Sequence, residues 1–130
     1  MSIVLVAFTR NGAFLAQKLA SALGGQAFAP AKYCTEGLTT LVGSIGEWAE
    51  YWFSKARVIV FVSAVGIAVR AIAPLVRDKT TDPAVLVLDE KGTYVIPLLS
   101  GHIGGANHFA KAIAELTGGQ AVITTATDLN

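Results

Sequence analysis

The segment Val58–Val62 is apolar at every position, whereas a strand with one face in water alternates apolar and polar residues. Strands of this kind are buried on both faces and are typical of parallel sheets that helices cover from each side. Ile3–Phe8 has the same character, and an apolar fraction of 53% with only 15% charged residues supports the same architecture. The sequence therefore predicts an α/β fold with an open, mostly parallel sheet and helices on both faces.

Further strands and helices alternate along the chain. Short apolar runs predict strands at residues 26–29, 84–88, 93–98 and 121–124, and helical spacing predicts helices at about 10–23, 45–53, 65–73 and 106–117. The predicted buried faces of the first and last helices are Leu15, Leu19, Ala22 and Leu23, and Ala106, Phe109, Ala110, Ile113 and Leu116. Residues 31–43 are expected to form a loop with a short helix around 38–42.

Two local patterns are specific enough to predict individual contacts. Ser44 and Glu47 have the spacing of a capping box, in which each side chain bonds a backbone N–H at a helix start. The four-residue turn Asp89–Gly92 separates two apolar runs and predicts a β-hairpin.

Length, charge and cysteine content limit the class of protein. The chain fits a single domain over residues 1–130, and a net charge of +1 argues against a nucleic-acid-binding surface. The lone Cys34 cannot form an internal disulfide, and the apolar N-terminus is too short for a signal peptide or a membrane span. We therefore expect a cytoplasmic protein. Because a further element usually follows the last strand of such a pattern, we also expect the chain to be part of a longer protein.

Turns that follow parallel strands gather at one rim of the sheet, where α/β proteins bind their ligands. We expect these turn residues at that rim: Thr9, Arg10, Ser63, Gly66 and Thr125. The stretch Ser100–Asn107 joins them if its strand runs parallel to the others. Backbone N–H groups and hydroxyls at such a rim suit carboxylates or phosphates.

The stretch Ser100–Asn107 is the strongest candidate site. Its three glycines allow a ligand to approach the backbone closely, and His102 offers an imidazole that can exchange a proton near neutral pH. The alternative is a structural histidine that caps the next helix or bonds a backbone carbonyl. His108 is expected on the solvated face of that helix.

Charged residues in the middle of the chain have two interpretations. Arg70 lies in an apolar helical stretch, where it either pairs with Asp78 or Asp82 for structure or binds a substrate carboxylate. The polar loop that contains both aspartates is either plain surface or part of the site. Helix capping is the expected role of three hydroxyl residues: Thr9, Ser63 and Ser100.

Four blocks of sequence, taken in order, resemble the CbiG family, the cobalt-precorrin-5A hydrolases of anaerobic cobalamin biosynthesis. The blocks are Val65–Arg70, then Asp78–Lys79 with Asp82–Val85, then Leu99–Asn107, then Ile123–Asp128. The resemblance is specific from about Arg57 to Asp128. It implies that the chain is the N-terminal domain of a longer, two-domain protein.

The resemblance also implies an activity. The family hydrolyses the δ-lactone of a cobalt-bound macrocycle and releases acetaldehyde, which gives cobalt-precorrin-5B. Cobalt arrives with the substrate, so neither a cofactor nor a metal site of the protein is expected. The implied partners are the cobalt-corrinoid intermediate and a C-terminal CbiG domain, with a homodimer left open and with no nucleic acid or membrane.

Lactone opening needs a base that activates water and donors that stabilise the oxyanion. The catalytic candidates are His102, Asn107 and Asp78, with His102 as the base and the N–H groups around Gly104 and Gly105 as oxyanion donors. The candidates for binding a ring that carries acetate and propionate groups are Thr9, Arg10, Ser63, Gly66, Arg70, Lys79, Ser100, Gly101, Gly104, Gly105 and Thr125. Two alternatives stay open: a non-catalytic corrinoid-binding domain, and a small-anion or nucleotide-binding α/β module.

Overall fold

A computed structural model describes residues 2–126, which form one seven-stranded sheet with four α-helices. In chain order the elements are β1 (Ile3–Ala7), α1 (Arg10–Leu23), β2 (Gln26–Ala29), β3 (Leu38–Thr40), α2 (Ile45–Phe53), β4 (Val58–Val62), α3 (Val65–Ile72), β5 (Ala84–Leu88), β6 (Tyr94–Leu99), α4 (Ala106–Thr117) and β7 (Gln120–Ala121). The strands lie in the order β3-β2-β1-β4-β5-β6-β7. Only the β5–β6 pair is antiparallel.

The apolar runs form the centre of this sheet. Every residue of β1, β4 and β5 is buried. Helices α1 and α4 cover one face of the sheet, and α2 and α3 cover the other. Burying a Val, Leu or Ile side chain stabilises the fold by about 1.5–3 kcal/mol, so strands that are apolar on both faces favour this three-layer arrangement. The predicted α/β architecture with its single hairpin is confirmed.

The buried faces of two helices differ from the prediction. In α1, Ala13 and Ala16 pack against the sheet while Ala22 is exposed. In α4, Ala114 is buried whereas Leu116 is 53% exposed. Small side chains let both helices lie close to the sheet, and the buried stripe is therefore set by alanines rather than by the largest apolar residues.

Residues 31–43 also differ from the prediction. Leu38–Thr40 forms the outermost strand, parallel to β2, where a short helix was expected. The N–H of Leu41 continues the pairing by donating to the Ala29 carbonyl at 2.8 Å. The two threonines of this strand are β-branched, which favours extended backbone over helix. The last strand is shorter than the expected 121–124, although the N–H of Val122 still bonds the Val95 carbonyl.

Two of the predicted caps are present, those of α1 and α2. The Thr9 hydroxyl accepts the N–H of Gly12 at 2.9 Å, and Ser44 and Glu47 form both hydrogen bonds of the capping box. The backbone N–H of Ser44, followed by its hydroxyl, lowers the pKa of Glu47. These caps fix where α1 and α2 begin.

Asp89 and Gly92 build the return from β5 to β6. The Asp89 carboxylate accepts the N–H of Tyr94 at 2.8 Å through Oδ1 and that of Lys91 at 3.2 Å through Oδ2. Gly92 has a φ of +71°, in the left-handed region that favours glycine. Partial burial alone would raise the pKa of Asp89, but the N–H groups of Tyr94, Thr93 and Lys91 outweigh burial and lower it.

Asp89→Asn tests this turn, because the change removes the charge and one of the two acceptors. We expect the free energy of unfolding to fall by about 1 kcal/mol at pH 7. A carboxylate whose pKa is lowered by folding stabilises above its ordinary pKa of about 4, and this contribution is lost as the pH falls through the lower folded value. The difference from wild type should therefore shrink between pH 5 and pH 2 in urea titrations. The exposed Glu115→Gln is the control, and a pH-independent Asp89→Asn deficit would contradict the account.

Candidate functional site

The candidate residues lie at two rims of the sheet. We call the rim where β1, β4 and β5 end the carboxyl rim, and the rim where they begin the amino rim. Because β6 is antiparallel to β5, with Leu99 opposite Val85, β6 ends at the amino rim. Strand β7 is parallel to β6 and also points there. The expectation that Thr125 shares a rim with Thr9 and Ser63 is therefore wrong, and the condition under which Ser100–Asn107 would join them is not met.

The predicted site residues divide between these rims. Five lie at the carboxyl rim or on the helices that begin there: Thr9, Arg10, Ser63, Gly66 and Arg70. Nine lie at the amino rim: Asp78, Lys79, Ser100, Gly101, His102, Gly104, Gly105, Asn107 and Thr125. A five-residue strand separates the rims by about 17 Å. The base and the arginine proposed from the sequence, His102 and Arg70, therefore belong to different surfaces.

Hydrogen bonds join three separate segments at the amino rim. The Ser100 hydroxyl donates to the Asp82 carbonyl at 3.2 Å, and the Asn107 side-chain amide donates to the Thr125 hydroxyl at 2.7 Å. Both Ser100 and Asn107 are more than 90% buried. Three of the four sequence blocks thus meet at this rim, although Thr127 and Asp128 lie outside the described residues.

The loop between β6 and α4 is fixed by its own backbone. Ser100 adopts the left-handed region with φ +58°, and the capping position of α4 is taken by Gly105 with φ +87°. A Cβ on Gly104 would meet the Ser100 Cβ and lie 2.8 Å from the Ser100 carbonyl oxygen. Ser100 is therefore a loop anchor and not the helix cap that was expected.

Some of the backbone amides at the start of α4 already donate hydrogen bonds within the loop. The N–H of Ala106 donates to the Ser100 carbonyl at 3.1 Å, and that of Asn107 donates to the Gly101 carbonyl at 2.9 Å. Within residues 2–126, the amides of Gly104 and Gly105 donate to no acceptor. The amides of Gly101 and Ile103 likewise have no acceptor there, so the loop can offer several N–H donors to a ligand, the two glycine amides among them.

His102 lines a cavity of about 200 Å³, which we call the His–Lys cavity. Its lining consists of Gly101, His102, Gly105, Asn107, His108 and Lys111. His102, His108 and Lys111 are exposed, and none of the described lining residues is acidic. His108 is solvated as predicted, but it shares this cavity with His102.

A second cavity of about 200 Å³, the Arg57 cavity, lies at the same rim. It is lined by Ala56, Arg57, Thr80, Thr81, Asp82, Pro83, Ala84, Ile103 and Gly104. The loop after β6 therefore contributes residues to both cavities. Arg57 directly precedes β4 and is exposed.

The two aspartates before β5 organise their own turn. Asp78 Oδ1 accepts the N–H and the hydroxyl of Thr80, each at 2.9 Å, and these bonds, the backbone one first, lower the pKa of Asp78. Asp82 Oδ2 accepts the N–H groups of Arg77 and Asp78 at 2.9 and 3.1 Å. The suggested pairing of Arg70 with either aspartate is absent from the described residues. The Arg70 guanidinium instead lies beside its own helix start.

At the carboxyl rim, side chains mostly bond within their own turns. The Thr9 hydroxyl, besides capping α1, donates to Glu90 Oε2 at 3.4 Å. The Ser63 hydroxyl donates to the Ala64 carbonyl and does not cap α3. Arg10 lines a smaller cavity of about 120 Å³ with Lys32 and Tyr33.

Residues 2–126 contain neither a metal-binding cluster nor a membrane-spanning helix. No group of three or more His, Cys, Asp or Glu side chains is arranged to hold a metal ion. No described helix is both long and apolar enough to cross a membrane.

The site residues predicted from the sequence do not include three basic residues of the amino rim, although His108 was correctly expected on the solvated face of α4. His108 and Lys111 are three residues apart on the exposed side of α4, directly after the glycine loop, and that spacing could have linked them to His102. Arg57 is far away in sequence and joins the site only through the pairing of β4 with β5.

Comparisons with known proteins agree on one family. A family model described as Cobalamin synthesis G N-terminal matches residues 47–128. The chain is 46% identical over 129 residues to the cobalt-precorrin-5A hydrolase of Salmonella typhimurium. The matched region covers 99% of this chain and 37% of that protein. The chain is also 44% identical over 87 residues to the cobalt-precorrin-5A hydrolase of Priestia megaterium, and this match covers 67% of this chain and 23% of that protein.

A solved structure has the same fold. The crystal structure of a cobalamin biosynthesis protein G homologue from Sulfolobus solfataricus superimposes with a TM-score of 0.74 at 25% identity, over 95% of this chain and 36% of that one. The chain thus spans less than two-fifths of the length of each of these proteins.

Gly104→Ala tests the packing of the loop against Ser100. The new methyl group has no room, so we expect the free energy of unfolding to fall by about 1–3 kcal/mol. Gly46→Ala is the control, because only the Ser44 hydroxyl lies near, at 3.7 Å, and alanine favours a helix by about 0.5–1 kcal/mol. Urea unfolding of both variants measures the difference. Wild-type stability of Gly104→Ala would show that the loop is not packed as described.

Proposed function

The chain belongs to the cobalamin synthesis G N-terminal family. We propose that it hydrolyses the δ-lactone of cobalt-precorrin-5A together with the additional polypeptide that its longer relatives contain. The products are cobalt-precorrin-5B and acetaldehyde. The observation that carries the proposal is the convergence of three segments at the amino rim, joined by the Ser100–Asp82 and Asn107–Thr125 hydrogen bonds.

The reaction sets what the protein must provide. Water attacks the lactone carbonyl carbon, and the ring C–O bond breaks to give a carboxylate and a hydroxyl group. That hydroxyl then loses its proton as its carbon separates from the macrocycle as acetaldehyde, and the electron pair of the broken C–C bond stays on the conjugated ring. The site therefore needs a group that moves protons and donors for the oxyanion.

His102 is the proposed general base. It lies in a glycine loop that is anchored at both ends, and its side chain lines an open cavity. An imidazole can take a proton from water at neutral pH and return it to a leaving oxygen. None of the other described lining residues of that cavity offers a carboxylate for this task.

The amides of Gly104 and Gly105 are the proposed oxyanion donors. They lack acceptors within the described residues and belong to the same loop as His102. The positive end of the α4 dipole lies at this loop and favours negative charge there.

Asn107, Ser100, Gly101 and Thr125 are proposed as positioning residues. Asn107 lines the cavity with its side chain bonded to Thr125, and the carbonyls of Ser100 and Gly101 hold the start of α4. Asp78 is a weaker catalytic candidate, because Thr80 occupies its Oδ1 and a lowered pKa makes it a poorer base. Lys79 stays a predicted carboxylate ligand beside it.

The carboxyl-rim candidates are not part of this proposed site. The sequence-based prediction that Thr9, Arg10, Ser63, Gly66 and Arg70 contact the substrate is a separate alternative, which would require a ligand or a further part of the protein that reaches around the sheet. The proposal includes no metal site of the chain, since cobalt is part of the substrate. It also includes a cytoplasmic location and a C-terminal CbiG domain as the partner.

A mixed assay tests the proposal. This chain, combined with the part of the Salmonella relative that follows the matched region, should release acetaldehyde from cobalt-precorrin-5A. His102→Gln should lower kcat at least about a hundredfold with little change in KM, because it removes proton transfer but not binding.

Thermal unfolding and circular dichroism of His102→Gln control for misfolding. Turnover of that variant at the wild-type rate would remove His102 as the base. Corrinoid binding without acetaldehyde in any mixture would instead support the non-catalytic corrinoid-binding alternative.

A further inference from the structure

Ile103 is 58% exposed in the loop between β6 and α4. It and Gly104 line the Arg57 cavity, while the neighbouring Gly101, His102 and Gly105 line the His–Lys cavity. An exposed isoleucine between two polar cavities fits a ligand that is apolar at its centre and polar around its periphery.

The charge around these cavities favours anions. Lys111 and two histidines line one cavity, and Arg57 lines the other. Asp82 is the one acidic residue in the described linings, and it is buried with Oδ2 accepting two backbone N–H groups of its own turn. A carboxylate in either cavity would therefore meet a cation, Lys111 in one and Arg57 in the other.

The spacing of these groups suits a macrocycle. Arg57 precedes β4 and the loop follows β6, which is two strands away, so about 10 Å of sheet separates them. Lys111 lies in the second turn of α4, on the other side of the loop. A small anion would fill only one of the two cavities, whereas a ring with acidic arms reaches both.

We propose that Ile103 contacts the face of the corrinoid ring and that the two cavities bind its peripheral carboxylates, with Arg57 on one side and with His108 and Lys111 on the other. The inference rests on the proposed function, because the polycarboxylate ring is its substrate class. It names four contacts that were not among the site residues predicted from the sequence, and it puts substrate recognition on the same rim as His102.

Binding of cobyrinic acid, a cobalt corrinoid with free carboxyl groups, and of its permethyl ester tests this arrangement. Both are titrated into the chain, and tryptophan fluorescence and the visible spectrum of the ligand report the Kd. Three proteins are compared with wild type: Arg57→Gln/Lys111→Gln, Ile103→Ser, and the control Lys18→Gln/Lys91→Gln. The control loses the same charge outside both cavities.

Arg57→Gln/Lys111→Gln should bind the acid about tenfold or more weakly and bind the ester like wild type, because only the acid presents carboxylates. Ile103→Ser should weaken both ligands, and the control should change neither. All of these side chains are exposed, and circular dichroism checks that each variant folds.

Unchanged binding of the acid to Arg57→Gln/Lys111→Gln, or an equal loss in the control, would overturn the inference. The acetaldehyde assay distinguishes failure of the proposed ring contacts from failure of the proposed hydrolase function. Normal acid binding by the double variant with turnover that depends on His102 would reject only the ring contacts. Loss of acid binding with no turnover in wild-type mixtures would reject only the hydrolase.

Discussion

The tight turn from β5 to β6 determines which surfaces of this chain can act together. Asp89 holds it through the N–H groups of Tyr94 and Lys91, and Gly92 supplies the left-handed residue. If a helical crossover joined these strands instead, the glycine loop after β6 would lie beside the turns that follow β1 and β4. Because β6 is antiparallel to β5, the glycine loop instead lies at the opposite rim, beside the starts of β4 and β5.

The general rule that α/β proteins bind ligands beyond the carboxyl ends of strands still describes this site. It applies to β6 and β7, whose ends lie at the amino rim of the other strands. Buried hydrogen bonds at Ser100 and Asn107 anchor the loop, while His102 and Ile103 between them are exposed. Anchored ends with an exposed centre are what a preorganised binding loop requires.

The sequence predicted six of the seven strands, the caps at Thr9 and Ser44 and the hairpin, because each depends on a local pattern. The apolar run of Val58–Val62 is one such pattern. The sequence also predicted the loop around His102 from its glycines. It could not predict the grouping of the turns, because strand direction depends on long-range pairing. Arg57 was missed for that reason, and the edge strand Leu38–Thr40 was missed because a short polar strand has little apolar periodicity.

The central claim is that the corrinoid binds at the amino rim. Amide NMR of the ¹⁵N-labelled chain with a paramagnetic cobalt(II) corrinoid tests it directly, because the unpaired electron broadens the signals of nearby amides. We expect broadening at residues 57, 79–82 and 101–111, with residues 9–12 and 63–70 unaffected. Broadening confined to residues 9–12 and 63–70 would contradict it.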